Sequence, residues 1–315
     1  MGNKVLIVQP ISKIGEDYLT DKGYVLKKGS GTLECEIARD VADCDAMLVR
    51  NAKITPMIID AGSRLKVIGR HGVGVDTINV SYALKKGVIV TNAPLSNANA
   101  VAEHTMHLLL SCAKHARKID IAFRNGNFDI RHTVTNLELS GKTIGILGMG
   151  RIGQNVAKKA MYGFDMNVVA YDPFIKADMV DKNISLKRTL EEAVRDADFV
   201  TVHLPLNDET RGIIHHRFFA AMKPGSFLIN AARGEVVNET DLLEALDSGH
   251  LAGGAFDLLN QEPPPAEHPL FGYENVILTP HNAAHTYEAF ENMALHAAQG
   301  IHEVLSGNVP SWPVG

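Results

Sequence analysis

Several features that define whole classes of protein are missing from this chain of 315 residues. It has no run of roughly 18 or more consecutive apolar residues, so a membrane span is not expected. Its formal net charge is -5 and it has no long basic block, which argues against a nucleic-acid partner. Hydrophobic residues make up 45% of the chain and charged residues 21%, a composition typical of a soluble globular protein with about two domains.

Cysteine is also rare, with Cys35, Cys44 and Cys112 as the three examples. An odd number of cysteines without metal-site spacing indicates neither a disulfide framework nor a cysteine-based metal centre. The first residues lead into an apolar strand rather than into a signal peptide. We therefore expect a reducing, cytoplasmic compartment.

Histidines are the remaining candidates for a metal site, and five of them attract attention: His104, His107, His215, His216 and His285. Two of these lie three residues apart on a predicted helix, but no HExxH pattern accompanies them. Histidines without acidic partners are more often structural than metal ligands. No metal is expected.

The most informative motif is GMGRIG at 148–153, which follows the apolar run 143–147 and precedes a helical pattern. Gly148 would form a tight turn, Gly150 would let the backbone approach a pyrophosphate, and Gly153 would let the next helix pack closely. The amino-terminal amides of that helix would face the phosphate charge. The motif alone is weak evidence, because glycine-rich turns between strand and helix occur in many proteins.

A second apolar strand strengthens the interpretation as a dinucleotide site, because it ends at Asp172, about 20 residues beyond the last glycine. A carboxylate there accepts hydrogen bonds from the adenosine ribose and repels a 2′-phosphate. Pro173 and Phe174 supply no guanidinium for such a phosphate. NAD is therefore favoured over NADP. Asp172 could also be a turn residue before Pro173, and the two interpretations are compatible.

Short apolar runs alternate with amphipathic stretches through the first hundred residues, and a second series of six predicted strands begins near Lys142. Between them, 98–124 is predicted as one long helical segment that packs against its own domain and a second subunit, so a homodimer is expected. The pattern predicts an α/β protein with two doubly wound parallel sheets. We expect a Rossmann-type NAD-binding domain at 98–285, inserted into a flavodoxin-like substrate-binding domain formed by 1–97 and 286–315.

Three reactive side chains follow the later predicted strands, at the edge where ligands bind in open α/β sheets. Arg233 offers a planar donor for a carbonyl or carboxylate, and His281 titrates near neutrality. Glu262 would hold the imidazole so that it can donate a proton. The set describes reduction of a 2-oxo acid. Each residue also has a simpler explanation, as a strand-end cation, a solvated loop carboxylate or a turn histidine.

With these segments in place, the chain resembles the D-isomer-specific 2-hydroxyacid dehydrogenase family, and within it the phosphoglycerate dehydrogenases. The resemblance extends over nearly the full length. Its motifs are LVR at 48–50, GRHGVGVD at 69–76, AE at 102–103, GMGRIG at 148–153, HLPL at 203–206, NAARG at 230–234, EP at 262–263 and TPH at 279–281. The resemblance implies NAD-dependent oxidation of 3-phosphoglycerate to 3-phosphohydroxypyruvate, a step of serine biosynthesis.

The resemblance also implies roles for individual residues. Arg233, Glu262 and His281 would be catalytic. Cofactor contacts would come from the glycine motif and from Arg151, Ile152, Asp172, His203, Pro205, Thr210, Ala231 and Asp257. The substrate would meet the backbone amides of Val73 and Gly74, and Arg50 and Arg70 would face its phosphate. Arg50 could instead form a surface or interdomain ion pair.

Other functions stay open at this point. Reduction of glyoxylate or hydroxypyruvate is the nearest alternative, although a small acid would leave one of the two arginines without a ligand partner. A dinucleotide-sensing protein of the corepressor type has the same fold. Asn282, His285 and His71 depart from the family pattern and leave the shape of the pocket open. Because the chain ends at Gly315, a short form without C-terminal regulatory domains is expected.

Overall fold

A computed structural model describes residues 2–315 of the chain and divides them into two compact units. The terminal unit runs from the amino-terminal part to Asn97 and includes Ala284–Gly315, and the middle unit is Ala98–Ala283. In chain order the strands are β1 (Lys4–Ile7), β2 (Val25–Lys28), β3 (Ala46–Val49), β4 (Val67–Arg70), β5 (Ile89–Thr91), β6 (Thr143–Leu147), β7 (Asn167–Tyr171), β8 (Ser185–Leu186), β9 (Phe199–Val202), β10 (Ser226–Asn230), β11 (Leu251–Phe256), β12 (Val276–Leu278) and β13 (Pro313–Val314).

The helices alternate with these strands. They are α1 (Lys13–Asp21), α2 (Glu34–Val41), α3 (Pro56–Ala61), α4 (Val80–Lys85), α5 (Ala98–Ala113), α6 (Ala116–Arg124), α7 (Arg151–Phe164), α8 (Leu190–Val194), α9 (His216–Ala221), α10 (Glu239–Asp247) and α11 (Tyr287–Leu305). None of the helices among the described residues combines the length and apolar character that a membrane crossing needs.

The terminal unit contains a sheet with the order β2-β1-β3-β4-β5-β13, parallel except for the last strand. The first five positions have the flavodoxin-like order. Strands such as β3 are buried along their whole length, because helices cover both faces of the sheet. Helix α11 packs in this unit through Ala294, Ala297 and Ile301, against strands β1, β3 and β4.

The middle unit contains a parallel sheet with the order β8-β7-β6-β9-β10-β11-β12. This order reverses direction at β6, where the glycine motif follows the strand, and it extends the Rossmann order by one strand. The predicted fold class, with doubly wound parallel sheets, is confirmed.

Some local predictions were wrong. The segment 98–124 is two helices rather than one, because His115 adopts a left-handed conformation with φ 44°. Its ring lies 6.4 Å from that of Phe227, a tertiary contact that hydrophobic periodicity cannot reveal. The middle sheet has a seventh strand, β8, which is only two residues long. Strand β2 was also missed, because it is a partly exposed strand of the sheet edge with two lysines.

Candidate active site

The glycine motif forms the turn from β6 into α7, and its geometry fits a pyrophosphate. Gly148 has φ +93°, and a Cβ there would lie 2.8 Å from the carbonyl oxygen of His203. A Cβ on Gly153 would collide with the carbonyl oxygen of Gly148, whereas one on Gly150 would meet nothing within 4 Å. Gly150 is the N-cap of α7, which begins at Arg151 and continues through Ile152. Open space therefore faces the amino terminus of a 14-residue helix, the arrangement that binds a phosphate anion.

Asp172 closes this turn from the end of β7. One of its carboxylate oxygens accepts a 2.8 Å hydrogen bond from the Met149 amide, and the other accepts one of 2.8 Å from the Phe174 amide. The residue is therefore a turn residue before Pro173, and it also holds the second residue of the glycine motif. Its predicted contact with the ribose stays a prediction.

The segment after β9 places His203, Pro205 and Thr210 in one turn beside Gly148. The Thr210 hydroxyl donates to the Pro205 carbonyl at 2.6 Å. Both ring nitrogens of His203 are buried without a hydrogen-bond partner among the described residues, and burial lowers its pKa to about 4. Ala231, which is also buried, follows β10.

The carboxyl ends of β10, β11 and β12 are neighbours in the sheet, so Arg233, Asp257 and His281 follow three adjacent strands. Arg233 lies in a turn held by Asn230, whose side-chain amide donates to the Arg233 carbonyl at 2.7 Å. The Arg233 guanidinium donates to the Ala232 carbonyl at 2.7 Å. Arg233 therefore lies at the edge of the sheet that the sequence predicted for the reactive groups.

Asp257 is 1% exposed and organises the loop after β12. Its carboxylate accepts hydrogen bonds from the amides of Asn282 and Ala283, both at 3.0 Å, and from the Thr279 hydroxyl at 2.6 Å. Burial acts to raise the pKa of Asp257, but these hydrogen bonds, together with one from His104, outweigh it and hold the pKa below its ordinary value. The carboxylate is thus ionised while nearly inaccessible.

His281 sits in this loop with φ +50°, a left-handed conformation that is uncommon for residues other than glycine. Its amide donates to the Asp257 carbonyl at 2.7 Å, which fixes the backbone. Its Nδ1 lies 2.8 Å from a carboxylate oxygen of Glu262, and both side chains are roughly half exposed. A carboxylate at Nδ1 selects the tautomer and orientation in which Nε2 is available for proton transfer.

His104 is a site residue that sequence reasoning missed, since we considered it only as a metal candidate. Its Nε2 lies 3.1 Å from the Thr279 hydroxyl and 3.5 Å from the Asp257 carboxylate. Because the Thr279 hydroxyl donates to Asp257, the histidine donates to Thr279. The contact spans 175 positions of sequence, so no local motif announces it. Among residues 2–315, no group of three or more potential metal ligands is found.

The predicted substrate residues lie in the terminal unit. The Arg50 guanidinium lies 5.0 Å from the Phe290 ring centroid and donates to the Pro10 carbonyl at 3.1 Å, and burial lowers its pKa. His71 is 3% exposed and packs edge-on against the same ring at 5.1 Å. Burial, followed by the charges of Arg50 and Arg70, lowers the pKa of His71 to about 3, so its imidazole is neutral.

The loop 71–74 contains Val73 and Gly74 and is bound closely by Arg70. The Arg70 Nε donates to the Gly74 carbonyl at 2.7 Å, and its Nη1 donates to the His71 carbonyl. Gly72 has φ +125°, which requires glycine, and a Cβ there would lie 3.0 Å from the Arg70 guanidinium. The two positions that departed from the family pattern after His281 differ from each other: Asn282 is tied to Asp257 through its amide, and His285 is exposed.

Comparison with known proteins defines the class to which this site belongs. Residues 106–283 match the model of the D-isomer specific 2-hydroxyacid dehydrogenase NAD binding domain. The chain is 38% identical over 306 residues to the D-3-phosphoglycerate dehydrogenase of Archaeoglobus fulgidus, with 96% of this chain and 58% of that relative covered. The chain therefore spans somewhat more than half the length of this curated relative.

Solved structures agree with this similarity. A protein of Thermus thermophilus superposes with a TM-score of 0.91 at 32% identity, covering 99% of this chain and 100% of the other. A glyoxylate reductase of Paecilomyes thermophila gives a TM-score of 0.89 at 27% identity, covering 99% and 98%. This chain belongs to the D-isomer specific 2-hydroxyacid dehydrogenase family, and its middle unit contains the NAD-binding domain of that family.

Proposed function

We propose that this protein is an NAD-dependent D-2-hydroxyacid dehydrogenase that oxidises 3-phosphoglycerate to 3-phosphohydroxypyruvate, a step of serine biosynthesis. The observation that carries the proposed reaction is the 2.8 Å pair between His281 Nδ1 and the Glu262 carboxylate. His281 follows β12 at the edge formed by the carboxyl ends of the parallel strands, and the glycine motif follows β6 at the same edge. A histidine oriented in this way is a general acid and base for a hydroxyl and a carbonyl. Similarity to D-3-phosphoglycerate dehydrogenases supports the choice of substrate.

The residues of the middle unit would hold the cofactor. Gly148, Gly150, Arg151, Ile152 and Gly153 would bind the pyrophosphate, and Asp172 the ribose. The adenosine would contact His203, Pro205 and Thr210. Ala231 and Asp257 would lie toward the nicotinamide. NAD, when bound, supplies the hydride acceptor.

The remaining chemistry belongs to side chains. During oxidation His281 Nε2 accepts the proton of the C2 hydroxyl as hydride leaves C2, and during reduction the same nitrogen returns the proton to the oxygen. Glu262 keeps Nδ1 protonated throughout, so the exchangeable proton is on Nε2. Arg233 polarises the C2 oxygen and binds the substrate carboxylate. In the terminal unit, the amides of Val73 and Gly74 would bind a substrate carboxylate.

Arg50 and Arg70 place two positive charges in the terminal unit beside the loop 71–74, which favours a substrate with two anionic groups. The test compares NADH consumption with 3-phosphohydroxypyruvate and with hydroxypyruvate, which differ only in the phosphate. We expect a higher kcat/KM for the phosphorylated acid. Arg50→Ala is expected to reduce that preference by about tenfold, the effect of one lost charge-assisted bond. Equal losses on both acids would contradict the assignment of Arg50 to the phosphate.

Reduction of glyoxylate or hydroxypyruvate is the alternative within the class, and the similarity to a solved glyoxylate reductase favours it. The catalytic set would be unchanged, and only the role of Arg50 would differ. The same assay distinguishes the two functions, since the alternative predicts equal or better turnover of the acids without phosphate.

We further propose a homodimer formed through α6 and the residues after it. Helix α6 has no buried residue. Ile121, Phe123 and Phe128 expose 47%, 58% and 56% of their surface on this segment. Large apolar side chains exposed together are typical of an interface, and a second copy of this chain supplies the same apolar surface in a symmetric dimer. Light scattering is expected to give twice the chain mass of 34.2 kDa, and Phe123→Glu is expected to give the monomer mass. A monomeric wild-type protein would contradict the proposal.

Three finer assignments complete the proposal. The carboxylate of Asp172 supports a preference for NAD over NADP. Asp172→Ala is expected to weaken this preference in measurements of kcat/KM for both cofactors.

All three cysteines are free thiols, and Cys44 and Cys112 are buried, which supports a cytoplasmic location in a reducing compartment. The terminal unit would bind the substrate.

A further inference from the structure

The four successive carbonyl groups of the loop 71–74 all accept hydrogen bonds from the protein. Arg70 donates to the first and the last, at His71 and Gly74. The Ala93 amide donates to the Gly72 carbonyl at 2.8 Å, and the Asn92 side chain donates to the Val73 carbonyl at 2.8 Å.

Three amide groups of the same loop, unlike its carbonyl groups, have no hydrogen-bond partner among the described residues. In the described part of the chain, the amides of Gly72, Val73 and Gly74 have no hydrogen-bond acceptor, although almost all backbone donors in proteins find one. Val73 and Gly74 are partly exposed, so a ligand can reach them. Successive unpaired amides with occupied carbonyls form a concavity that binds anions.

We infer that Arg70 is a positioning residue for the substrate carboxylate: it holds the loop carbonyls and thereby leaves the amides of Val73 and Gly74 available to the anion. This inference rests on the proposed function, since the anion is the carboxylate of a 2-hydroxy or 2-oxo acid. It refines the expectation that Arg70 faces the phosphate. Arg70 would act on every substrate with a carboxylate, whether or not the substrate has a phosphate.

The surroundings of Arg50 are different. Its one hydrogen bond to the described backbone goes to Pro10, outside the loop, and its guanidinium lies over the Phe290 ring. Arg50 therefore does not determine the orientation of the loop. Selectivity for a phosphate would depend on Arg50, and affinity for the carboxylate on the loop that Arg70 supports.

The test uses Arg70→Lys, which keeps the charge but loses the two-pronged donor geometry, and Asn92→Ala, which removes the donor to Val73. Binding of oxalate, a carboxylate ligand without phosphate, is measured by calorimetry in the presence of NADH. Values of kcat and KM are measured with 3-phosphohydroxypyruvate and hydroxypyruvate. Arg64→Lys is the matched control, because Arg64 pairs with Asp45 and contacts none of the loop.

Each loop variant is expected to raise the Kd for oxalate about tenfold, the effect of losing one hydrogen bond to a charged group. KM is expected to rise by similar factors for the two oxo acids, while KM for NADH and the circular dichroism spectrum stay unchanged. Arg64→Lys is expected to alter none of these values. Asn92→Ala keeps the inference testable if Arg70→Lys does not fold.

An unchanged oxalate Kd in Arg70→Lys would overturn the inference, and so would a loss confined to the phosphorylated acid. Failure of wild-type protein to bind oxalate would overturn it too. Failure of the proposed function is a separate result, namely wild-type protein that binds oxalate but reduces neither oxo acid.

Discussion

The loop 71–74 after β4 and the loop 279–283 after β12 have opposite polarity, in the sense that a cation binds carbonyl groups of the first and an anion binds amide groups of the second. Each follows the carboxyl end of a parallel strand, and each contains a left-handed residue, Gly72 or His281. In the first loop a cation, Arg70, binds carbonyls, and the amides stay unpaired. In the second an anion, Asp257, binds amides and a hydroxyl, and the imidazole of His281 stays accessible.

The charge at the base of each loop thus determines which groups the loop presents. Backbone groups near a buried charge orient toward it, because an unpaired buried charge is very costly. A guanidinium selects carbonyls and leaves donors for an anionic ligand. A carboxylate selects donors and leaves room for a side chain that transfers a proton. In the proposed function, the first loop would bind the substrate carboxylate, and the second would present the histidine that transfers the proton.

Removing the imidazole from the loop 279–283 is expected to have the largest effect. His281→Ala is expected to lower kcat about 1,000-fold, within the range for loss of a general acid and base. NADH binding is expected to persist, because Asp257 and the glycine motif are intact. Steady-state kinetics and a fluorescence titration with NADH check both expectations. His216→Ala, at an exposed histidine, is the control. A fall in kcat of less than about tenfold in His281→Ala would contradict the role of His281.

Removing the charge beneath the loop 279–283 is expected to have the next largest effect. Asp257→Asn keeps the shape but places an amide group against backbone amides, so we expect kcat/KM to fall about 100-fold and unfolding to require about 3 kcal/mol less free energy. The pKa of Asp257 is lowered in the folded protein, so its stabilisation is present above about pH 4 and is lost as the pH falls through the folded pKa.

Urea unfolding of wild type and Asp257→Asn at pH 7 and at progressively lower pH measures this difference. The difference in unfolding free energy is expected to shrink only at acidic pH. A constant difference throughout, or none at pH 7, would show that Asp257 does not organise the loop as an anion.

Glu262→Gln distinguishes the two carboxylates that contact the loop 279–283, because Glu262 pairs with the His281 side chain whereas Asp257 binds backbone amides. The neutral amide still accepts a hydrogen bond from Nδ1, so we expect kcat to fall about tenfold and KM for NADH to stay constant. The fall in kcat is expected to be similar for every oxo acid that the enzyme reduces, because proton transfer at Nε2 is common to all of them. A kcat equal to that of wild type would contradict the pairing of Glu262 with His281.

The last prediction concerns the stability of the terminal unit rather than the reaction. The pKa of His71 is about 3 in the folded protein and about 6.5 when unfolded, so stability contributed by the neutral imidazole is present above pH 6.5 and decreases as the pH falls toward 3. His71→Leu removes this contribution. When the pH is lowered from 6.5 to 4.5, the unfolding free energy of wild type is expected to fall by about 2 kcal/mol more than that of the variant.

Trp312, the one tryptophan of the chain, lies in the terminal unit and reports its unfolding by fluorescence. Urea titrations at the two pH values therefore measure the effect of His71 directly. Equal losses in wild type and His71→Leu would contradict a neutral buried imidazole in the folded state.

Much of this organisation could be predicted from sequence, because strands buried on both faces leave continuous apolar runs and phosphate-binding turns need glycine at fixed spacing. The GMGRIG turn and the two sheets follow from those signals. The left-handed break at His115 could not be predicted, since nothing local distinguishes it from a helical residue.

The polarity of the two loops could not be predicted from the sequence for a different reason. Arg70 was recognisable as a cation beside a glycine-rich loop, but the carbonyls that it binds depend on the path of the folded backbone. His104 reaches the Asp257 network from a distant helix. Long-range hydrogen bonds of this kind leave no periodicity or spacing in the chain.

Hydrogen exchange of individual amides, measured by NMR with and without oxalate and with NADH present, tests the opposite polarity of the two loops most directly. We expect slow exchange at Asn282 and Ala283, whose amides are bound to Asp257, under both conditions. Exchange at Val73 and Gly74 is expected to be fast and to become slow when oxalate binds. Slow exchange at Val73 and Gly74 without oxalate, or no response to oxalate, would contradict the opposite polarity of the loops.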